Sequence, residues 1–466
     1  MMPHTTSFRF MSGAALVAAA CAVTLLAAQQ PAAPAAAPQQ PTDVSTTITG
    51  DQPGMAPRLA VPDFIALSND ADTQEAARTI GRVLWDDLNF EREFALIPRD
   101  VTVTVPAATS MANVPFARWH ELNADGVVVG SVQRTGNGVH VEVRLFSVRT
   151  QQSAFAMSYD GSSANKRSYA HRISDDIHRQ IRGLDGVAQT KLAFNSDRSG
   201  ERIGSTIEAR SVKEVMICDY DGENTLPITG NRGLNITPVW SPDGRSIFYT
   251  SYRRGAPNIF VANIYESTGD ILTDVKSQNW LPAVSPDGRL VAFASTRDGN
   301  SQIYVMNRDG SNTRRITNNR WDDTTPTWSP NGTQIAFTSN RTGTPQIFVM
   351  GADGLGQRQL THESGADRAT WSLAPFNEIA YAADTGPGYD IKVLDMATNT
   401  TRQLTFGEGT NESPAFSPNG RHIAFTSTRA GKEQIFTMSR DGKDIRQITR
   451  VGNNRQANWS RSPGRQ

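Results

Sequence analysis

The C-terminal two-thirds of the chain repeats one pattern of apolar and polar positions six times. Each copy contains a short segment that ends in a serine, and most copies continue with Pro-Asp-Gly or Pro-Asn-Gly. The serines are Ser241, Ser285, Ser329, Ser372, Ser417 and Ser460, so the steps between them are 44, 44, 43, 45 and 43 residues. A period of about 40–45 residues with several short strands in each unit is typical of a β-propeller.

Each repeat predicts four strands. The segment before the serine is the first strand, and an apolar, β-branched and aromatic run such as Leu290–Ser295 is the second. A third strand such as Gln302–Met306 follows a turn, and an Asp-Gly pair such as Asp309-Gly310 then makes a tight hairpin. The fourth strand ends in Ile-Thr or Leu-Thr. A sheet with two apolar faces cannot bury both alone, so the repeats must stack into a closed ring of blades.

The two ends of the repeat region indicate how this ring closes. The Ile/Leu-Thr ending occurs six times, at Ile228-Thr229, Leu272-Thr273, Ile316-Thr317, Leu360-Thr361, Leu404-Thr405 and Ile448-Thr449. The first copy begins with Lys191–Phe194, which matches a second strand, and the last copy, Asn458–Ser460, matches a first strand. The sequence therefore predicts an all-β six-bladed β-propeller over residues 188–466, closed by a C-terminal strand that completes the first blade. An insertion at Gly200–Ser211 separates the second and third strands of that blade.

Residues 43–187 predict a small α/β domain ahead of the propeller. Arg58–Ile65 has the composition of a strand, and Val127–Val132 and Val139–Val148 predict a hairpin that turns at Gly136–Gly138.

Two helices complete the predicted N-terminal domain. Asp72 and Glu75 have the spacing of a capping box that begins the first helix. Its apolar face consists of Ala76, Ile80, Val83, Leu84 and Leu88. The second helix is predicted over Lys166–Arg182, with Gly183 as its C-terminal stop. No catalytic motif occurs in this region, so we expect a scaffold or docking domain.

Residues 1–28 predict a Sec-type signal peptide for export. Arg9 supplies the positive charge, and the apolar Gly13–Ala28 segment is too short to remain as a membrane span. Cys21 could alternatively be a lipidation site, but apolar residues continue to Leu26, which favours an ordinary signal. The Pro/Ala/Gln-rich residues 29–42 predict an extended linker. Removal of the signal leaves Cys218 as the only cysteine, so no disulfide is expected.

The overall charge is balanced, with 46 Lys and Arg residues against 46 Asp and Glu residues. This balance provides no basic surface for nucleic acid, and no basic run indicates binding to a membrane.

A hydrolase was the main enzymatic alternative, because propellers with Ser-Pro-Asp-Gly repeats also occur beside serine peptidase domains. Such an enzyme needs a Gly-x-Ser-x-Gly elbow, and the sequence contains none. We therefore expect no enzymatic activity, no catalytic residue and no cofactor.

Metal binding was considered at two places. His171, Asp175 and His178 have a spacing that places them on one helix face, as a metal site would require. A fourth ligand is missing, so a solvated polar face opposite the isoleucines of this helix is the preferred interpretation. Asp219–Asn224 resembles half of a calcium loop, but Gly230 stands where the closing glutamate should be, which predicts a simple turn.

The repeated tryptophans could stack on sugars or pack between blades. They are Trp240, Trp328, Trp371 and Trp459. One tryptophan at the same strand position of each repeat favours packing.

The most variable parts of the repeats are the loops that join one blade to the next. In a propeller these loops surround one mouth of the central channel, and loops on a rigid scaffold carry recognition. They span Arg232–Thr237, Ser277–Leu281, Arg320–Thr325, Glu363–Arg368, Gly407–Ser413 and Asn453–Ala457. Because the strands agree between repeats while these loops differ, we predict a binding site at this mouth.

The chain as a whole resembles the TolB family of periplasmic propeller proteins. The resemblance rests on the signal, the Pro62-Asp63-Phe64 segment, the Val127–Gly130 segment before the hairpin, and the six repeats from Lys191 onward. It implies a non-enzymatic component of the Tol-Pal system, in the periplasm. It also implies binding of the peptidoglycan-associated lipoprotein at the channel mouth and of TolA through the mature N-terminal segment. The implied roles are outer-membrane invagination during cell division and outer-membrane integrity.

The same resemblance implies the residues of both sites. The lipoprotein site would comprise Gln278, Asn279, Trp280, Leu281, Thr324 and Thr325, and the TolA segment would comprise Asp43, Val44, Ser45, Thr46, Thr47 and Ile48. Trp280 stands where the family has a small residue, and Leu373-Ala374-Pro375 replaces one Pro-Asp-Gly turn, which predicts an irregular turn. We expect a monomer without a membrane span. The alternative is a periplasmic propeller that binds a small ligand or peptide, or that regulates an unrelated enzyme.

Overall fold

The computed structural model describes residue 48 and residues 55–203, 210–266, 269–274 and 276–462. The predicted signal, the predicted linker and Asp43–Thr47 lie outside these residues. Within the described part of the chain, no helix combines the length and the apolar character that crossing a membrane requires.

The N-terminal domain is one sheet with helices on its faces. Its elements are β1 (Arg58–Ala60), β2 (Ile65–Ala66), α1 (Ala71–Glu91), β3 (Ala95–Leu96), α2 (Arg99–Thr102), α3 (Phe116–Glu121), β4 (Gly126–Thr135), β5 (Gly138–Ser147), β6 (Ser153–Gly161) and α4 (Lys166–Ile177). The strand order is β3-β1-β4-β5-β6, and β2 also pairs with β4. Strand β1 pairs in parallel with β3 and β4, and β2 also pairs in parallel with β4. The pairs β4–β5 and β5–β6 are antiparallel.

Both faces of the sheet are buried at β4, which begins as a continuous apolar run, whereas β5 alternates buried and half-buried residues. The predicted apolar face of α1 packs with α4 on one side, where Ile80 and Leu84 are fully buried. On the other side Trp119 of α3 packs with Val127 and Phe146.

Two details of the predicted elements are wrong. The single strand Arg58–Ile65 is split into β1 and β2, because Pro62 has no N–H to donate to a sheet ladder. The first helix is capped by Asp70 and not by Asp72, since the Asp70 carboxylate accepts a hydrogen bond from Thr73 N at 3.0 Å. The second helix does end as predicted, in a π-helical turn at His178–Arg182 that is closed by Gly183 at φ 66°.

The propeller has six four-stranded blades. Blade 1 contains β7 (Lys191–Ser196), the hairpin of β8 (Arg202–Ile203) and β9 (Arg210–Ser211), then β10 (Glu214–Asp219) and β11 (Leu226–Pro227). Blade 2 contains β12 (Asn235–Trp240), β13 (Ser246–Arg254), β14 (Ala256–Asn263) and β15 (Gly269–Ile271). Blade 3 contains β16 (Asn279–Val284), β17 (Leu290–Ser295), β18 (Gln302–Asn307) and β19 (Arg314–Arg315).

The remaining three blades follow the same order. Blade 4 contains β20 (Asp323–Trp328), β21 (Gln334–Ser339), β22 (Gln346–Gly351) and β23 (Arg358–Gln359). Blade 5 contains β24 (Ala366–Trp371), β25 (Glu378–Asp384), β26 (Tyr389–Asp395) and β27 (Thr400–Gln403). Blade 6 contains β28 (Asn411–Phe416), β29 (His422–Ser427), β30 (Gln434–Ser439) and β31 (Arg446–Gln447), and the chain then forms β32 (Asn454–Trp459).

Strand β32 closes the ring as predicted. It pairs with β7, so that blade 1 has the order β11-β10-β7-β32, with its inner strand supplied by the end of the chain. Trp459 of this strand is buried, and its Nε1 donates to Thr190 Oγ1 at 2.6 Å. The insertion in blade 1 is also confirmed, since β8 and β9 lie between its second and third strands.

The threonine of each Ile/Leu-Thr ending fastens the outer strand to the third strand. In all six blades its Oγ1 accepts from a backbone N–H of the third strand at 2.9 or 3.0 Å. In blade 2 the Thr273 hydroxyl also donates to Asn258 Oδ1 at 2.9 Å. Asn258 Oδ1 accepts in turn from Asn279 Nδ2 of blade 3 at 3.1 Å. Equivalent chains of hydrogen bonds join blade 1 to 2, blade 5 to 6, and blade 6 to 1.

In three blades, an arginine after the second strand clamps the start of the inner strand. Arg297 and Arg429 each donate to an asparagine Oδ1 at 3.0 Å, whereas Arg341 pairs with the buried Asp323 carboxylate at 3.0 Å. These guanidinium groups also lie over phenylalanine rings of their own blades. Blade 5 lacks both partners, since Ala366 and Asp384-Thr385 occupy their positions.

The irregular turn predicted in blade 5 is confirmed. In blade 3 the Ser285 hydroxyl accepts from the N–H of Leu290, five residues later. In blade 5 the Ser372 hydroxyl accepts from Glu378 N, six residues later, so this turn is one residue longer.

We predict that removal of β32 destabilises the whole ring. Deletion of residues 454–466 leaves the inner edge of β7 unpaired and exposes one end of the blade stack, which favours aggregation. Differential scanning calorimetry should show a clearly lower melting temperature than that of a control that lacks only residues 463–466 and keeps β32. Equal melting temperatures would contradict the role of the closing strand.

A second prediction concerns the charged clamp in blade 4. Arg341→Gln leaves the Asp323 carboxylate buried without its cation, and we expect a loss of about 3–5 kcal/mol in the free energy of unfolding. Arg297→Gln leaves only a neutral amide and should cost about 1–3 kcal/mol. Chemical denaturation measures both. Asp323→Asn should restore much of the stability of Arg341→Gln, and a double variant no more stable than Arg341→Gln would argue against a buried charge as the cause.

Candidate functional site

The candidate site lies at the central channel of the propeller. The six inner strands surround a cavity of about 280 Å³. Each inner strand runs from the mouth, where the loops between blades lie, towards the Pro-Asp-Gly turns at the opposite end, which we call the floor. The four repeated tryptophans lie on these strands and are largely buried, which confirms the packing interpretation.

A strained bulge is repeated at the third residue of every inner strand. The pairing with the second strand shifts register at this point in all six blades. The residues with positive φ, between 46° and 59°, are Thr237, Leu281, Thr325, Arg368, Ser413 and Gln456. All six line the channel cavity. Since a non-glycine residue at positive φ costs about 1–3 kcal/mol, the fold stores strain in a ring at the mouth.

The six predicted mouth residues differ in their surroundings. Gln278 is exposed, and Trp280 and Thr324 are half-buried. Leu281 and Thr325 both line the channel cavity, and the Thr325 hydroxyl lies 2.6 Å from Thr338 Oγ1 and 3.1 Å from the Asp367 carboxylate.

Asn279 has a structural role in this loop. It is fully buried, and its Nδ2 donates to Asn258 Oδ1, Asp274 O and Ser277 O at 3.0–3.1 Å. The Asn279 side chain therefore shapes the loop from beneath and is not presented at the surface.

Three exposed apolar side chains at the mouth were not predicted as site residues from the sequence. Trp321, Phe406 and Val451 lie in loops between blades and are 36%, 70% and 62% exposed. The signal that could have found them is an apolar residue inside a loop that otherwise has turn residues, such as Phe406 before Gly407.

Ile48 is the only residue of the predicted TolA segment that the structure describes. It is buried in the core of the N-terminal domain, among Leu59 and Leu145. Asp43–Thr47 lie outside the described residues.

The polar face with His171, Asp175 and His178 is not solvated, and that interpretation is wrong. All three side chains are at most 5% exposed, because this face of α4 packs towards α1 and the propeller. His171 Nδ1 lies 2.8 Å from Asp87 Oδ2, and Asp87 Oδ1 accepts from the Tyr220 hydroxyl of blade 1 at 2.6 Å. The helical pattern alone could not show that a second domain covers this face.

Asp175 accepts hydrogen bonds from the segment that leads into the propeller. Its carboxylate is bound by the N–H groups of Ala188 and Gln189 at 2.9 and 3.1 Å. Burial raises the pKa of Asp175 to about 6. Among the described residues, no group of three or more potential ligands is arranged to hold a metal ion.

A second buried carboxylate, Glu91, ties α1 to blade 6. It accepts from Val187 N at 2.6 Å and from Asn419 Nδ2 at 3.2 Å, and it lies 3.6 Å from His422 Nε2. The His422 ring stacks on Phe90 with centroids 4.2 Å apart. Burial opposes ionisation of Glu91, but His422, His178 and the Val187 N–H together outweigh it and lower the pKa of this carboxyl.

Two smaller expectations can also be assessed. Asp219–Asn224 forms a turn as predicted, with Asp219 N bonded to Glu223 O at 2.9 Å. Cys218 is a buried free thiol whose pKa is raised by burial.

Comparison with known protein families gives two matches. The model of the TolB amino-terminal domain matches residues 31–154, and the model of the TolB beta propeller domain matches residues 178–461, more than half of the chain. The chain belongs to the TolB family. The α/β N-terminal domain and six-bladed propeller expected for this family are confirmed.

Individual relatives agree with this assignment. A protein named Tol-Pal system protein TolB from Desulfosudis oleivorans is 33% identical over 217 residues, which are 46% of this chain and 47% of the relative. A protein of the same name from Cereibacter sphaeroides is 33% identical over 235 residues, half of each chain. The chain thus spans about half the length of the curated relatives it matches. The crystal structure of TolB from Acinetobacter baumannii has a TM-score of 0.74 and 26% identity, and the match covers 87% of this chain and 97% of that one.

We predict that the His171–Asp87 pair makes the stability of the protein pH-dependent. Burial alone would lower the pKa of His171, but the charge and hydrogen bond of Asp87 and the charge of Asp221 together outweigh it and raise the pKa above the ordinary value of 6.5. The folded state therefore binds the proton more tightly than the unfolded state. The resulting stability is fully present below about pH 6.5 and is lost as the pH rises through the raised value.

His171→Gln tests this pH dependence. The difference in free energy of unfolding between the parent and this variant should be larger at pH 6 than at pH 9, as measured by urea denaturation. The exposed His120 provides the control variant His120→Gln, which should show no such trend. A difference that is constant with pH would contradict the prediction.

Proposed function

We propose that this chain is a non-enzymatic periplasmic component of the Tol-Pal system that binds the peptidoglycan-associated lipoprotein at the channel mouth. The family membership and the names of the relatives support the system. The observation that carries the site is the mouth itself, where varied loops with half-buried Trp280 and exposed Trp321 stand on a six-fold repeated frame.

The proposed lipoprotein surface comprises Gln278, Trp280, Leu281, Thr324 and Thr325, with Asn279 as the buried support of its loop. Aromatic side chains at interface centres contribute most to binding. Trp280 is therefore the proposed anchor, and the neighbouring exposed apolar side chains extend the surface that a partner would cover. Aromatic residues in a loop of an exported protein favour a protein partner, because exposed apolar area otherwise has no benefit.

The second proposed partner is TolA, bound through Asp43–Ile48. Because Ile48 is anchored in the core of the N-terminal domain, a partner bound to this segment would be coupled directly to the folded domain. Together the two contacts would link the lipoprotein and TolA in outer-membrane invagination during cell division and in the maintenance of outer-membrane integrity. We propose that the chain acts as a monomer, without nucleic acid and without a cofactor.

We predict that Trp280→Ala weakens binding of the periplasmic domain of the peptidoglycan-associated lipoprotein by about 2 kcal/mol or more, measured by isothermal titration calorimetry. Tyr265, which is 79% exposed in the β14–β15 connection at the floor end, provides the matched control Tyr265→Ala. That control should bind like the parent.

The outcomes of this titration separate the two readings of the propeller. Unchanged binding in a Gln278→Ala, Trp280→Ala, Thr324→Ala variant would place the lipoprotein elsewhere on the surface. No binding by the folded parent chain would instead favour a propeller that binds a small ligand or peptide.

A further inference from the structure

Two of the described side chains that line the channel are charged, and both are cationic. Among the described residues around the cavity of about 280 Å³, Arg368 and Arg461 are the only ones with a full charge, and no Asp or Glu lines it. Arg368 is the third residue of β24 and lies near the mouth, whereas Arg461 follows the end of β32 at the floor. At about 3.3 Å per residue, the five-residue offset along the inner strands separates them by roughly 16 Å. They therefore belong to different ends of the channel.

The two arginines differ in their pairing. Arg368 Nε lies 3.8 Å from the Asp367 carboxylate. The guanidinium of Arg461, in contrast, has no ion pair or hydrogen bond with any described residue. Burial lowers the pKa of Arg461 and no acid among the described residues offsets this effect, although an arginine stays charged throughout the ordinary pH range. A half-buried cation without a counter-charge is costly, so this end of the channel favours an anion.

An oriented hydrogen-bond donor lies on the same inner strand, three residues before Arg461. Asn458 Oδ1 accepts from Trp240 N at 2.8 Å, which fixes the amide so that Nδ2 is the group left for another acceptor. Asn458 and Arg461 both line the cavity, and so do Thr327 and Thr370. A guanidinium, an amide donor and hydroxyl groups without a nearby carboxylate are the groups that bind oxyanions in proteins.

We propose that the floor end of the channel binds a small oxyanion, a carboxylate or phosphate group, held by Arg461 and Asn458. This site is separate from the mouth surface, and the proposal does not rest on the lipoprotein as a partner. The anion could be free in solution or could be the terminal carboxylate of a chain that enters the channel, since both present the same charge and acceptor atoms.

Isothermal titration of the full chain tests the site with three probes in low-chloride buffer. The probes are sodium phosphate, a blocked triglycine with a free C-terminal carboxylate, and the same peptide with a C-terminal amide. We expect saturable one-to-one binding of the first two and none of the amide. Phosphate binding at least as tight as the peptide acid indicates a free anion, and tighter binding of the peptide acid indicates a chain end.

Two variants connect the binding to the proposed residues. Arg461→Gln should weaken anion binding by about tenfold or more, because a hydrogen bond to a charged group is lost. The exposed Arg358 on the outer strand β23 provides the matched control Arg358→Gln, which should bind like the parent. Asn458→Asp keeps the acceptor for Trp240 N but replaces the donor with a negative charge, so it should also reduce binding at least tenfold.

Each variant also needs a control for folding. Thermal melting establishes that each variant is folded, and Asn458→Asp serves if Arg461→Gln does not fold. Retained lipoprotein binding in these variants would show that the mouth is intact. Absence of saturable binding of both phosphate and the peptide acid to the parent chain would overturn the proposal. Unchanged binding in the folded Asn458→Asp or Arg461→Gln variants would do the same.

Discussion

The architecture depends on one buried hydrogen-bonded junction, the threonine that closes each blade. Its hydroxyl accepts from the third strand, and in most blades it also donates to a side chain within the first three residues of that strand. In four of the six junctions this second side chain also binds the first residue of the next inner strand. Hydrogen bonds in a low-dielectric interior reinforce one another, so these junctions fix each blade against the next. Without a fixed angle between blades, the ring would not close on β32.

The same junction determines the shape of the mouth. The first residue of each inner strand is also the end of the loop that leads to it, as Asn279 shows by binding both Asn258 and the carbonyl groups of its own loop. Loop residues above this level can vary without disturbing the frame. A loop residue such as Trp280 can therefore differ from its counterparts in the other repeats while the six blades remain alike.

The fold was predictable from the sequence because the repeat is periodic and its turns use residues with strong conformational preferences. The Ser-Pro-Asp-Gly turns, the Asp-Gly hairpins and the split first blade all follow from residue types at fixed spacing. The channel geometry was not predictable in this way. A residue before proline favours extended backbone, yet Thr237, Leu281 and Thr325 adopt positive φ in front of a proline. The environment of His171 was missed for another reason, since burial between domains depends on tertiary contacts that a helical pattern does not contain.

The domain interface places the mouth on the side away from the N-terminal domain. Asp87 and Glu91 of α1 bind Tyr220 and Asn419, which lie at the floor end of blades 1 and 6. The mouth surface and the N-terminal domain therefore lie at opposite ends of the propeller. The interface also contains the Arg92–Asp444 and Arg167–Asp221 ion pairs, so charged contacts join the two domains at several points.

The closure of blade 1 by β32 also imposes an order on folding. Blades 2 to 6 are each made of consecutive strands, so their hairpins need no strand from another part of the chain. Blade 1 cannot be completed until Asn454–Trp459, near the end of the chain, has been synthesised. Until then, the β7 edge stays unpaired and the stack of blades stays open.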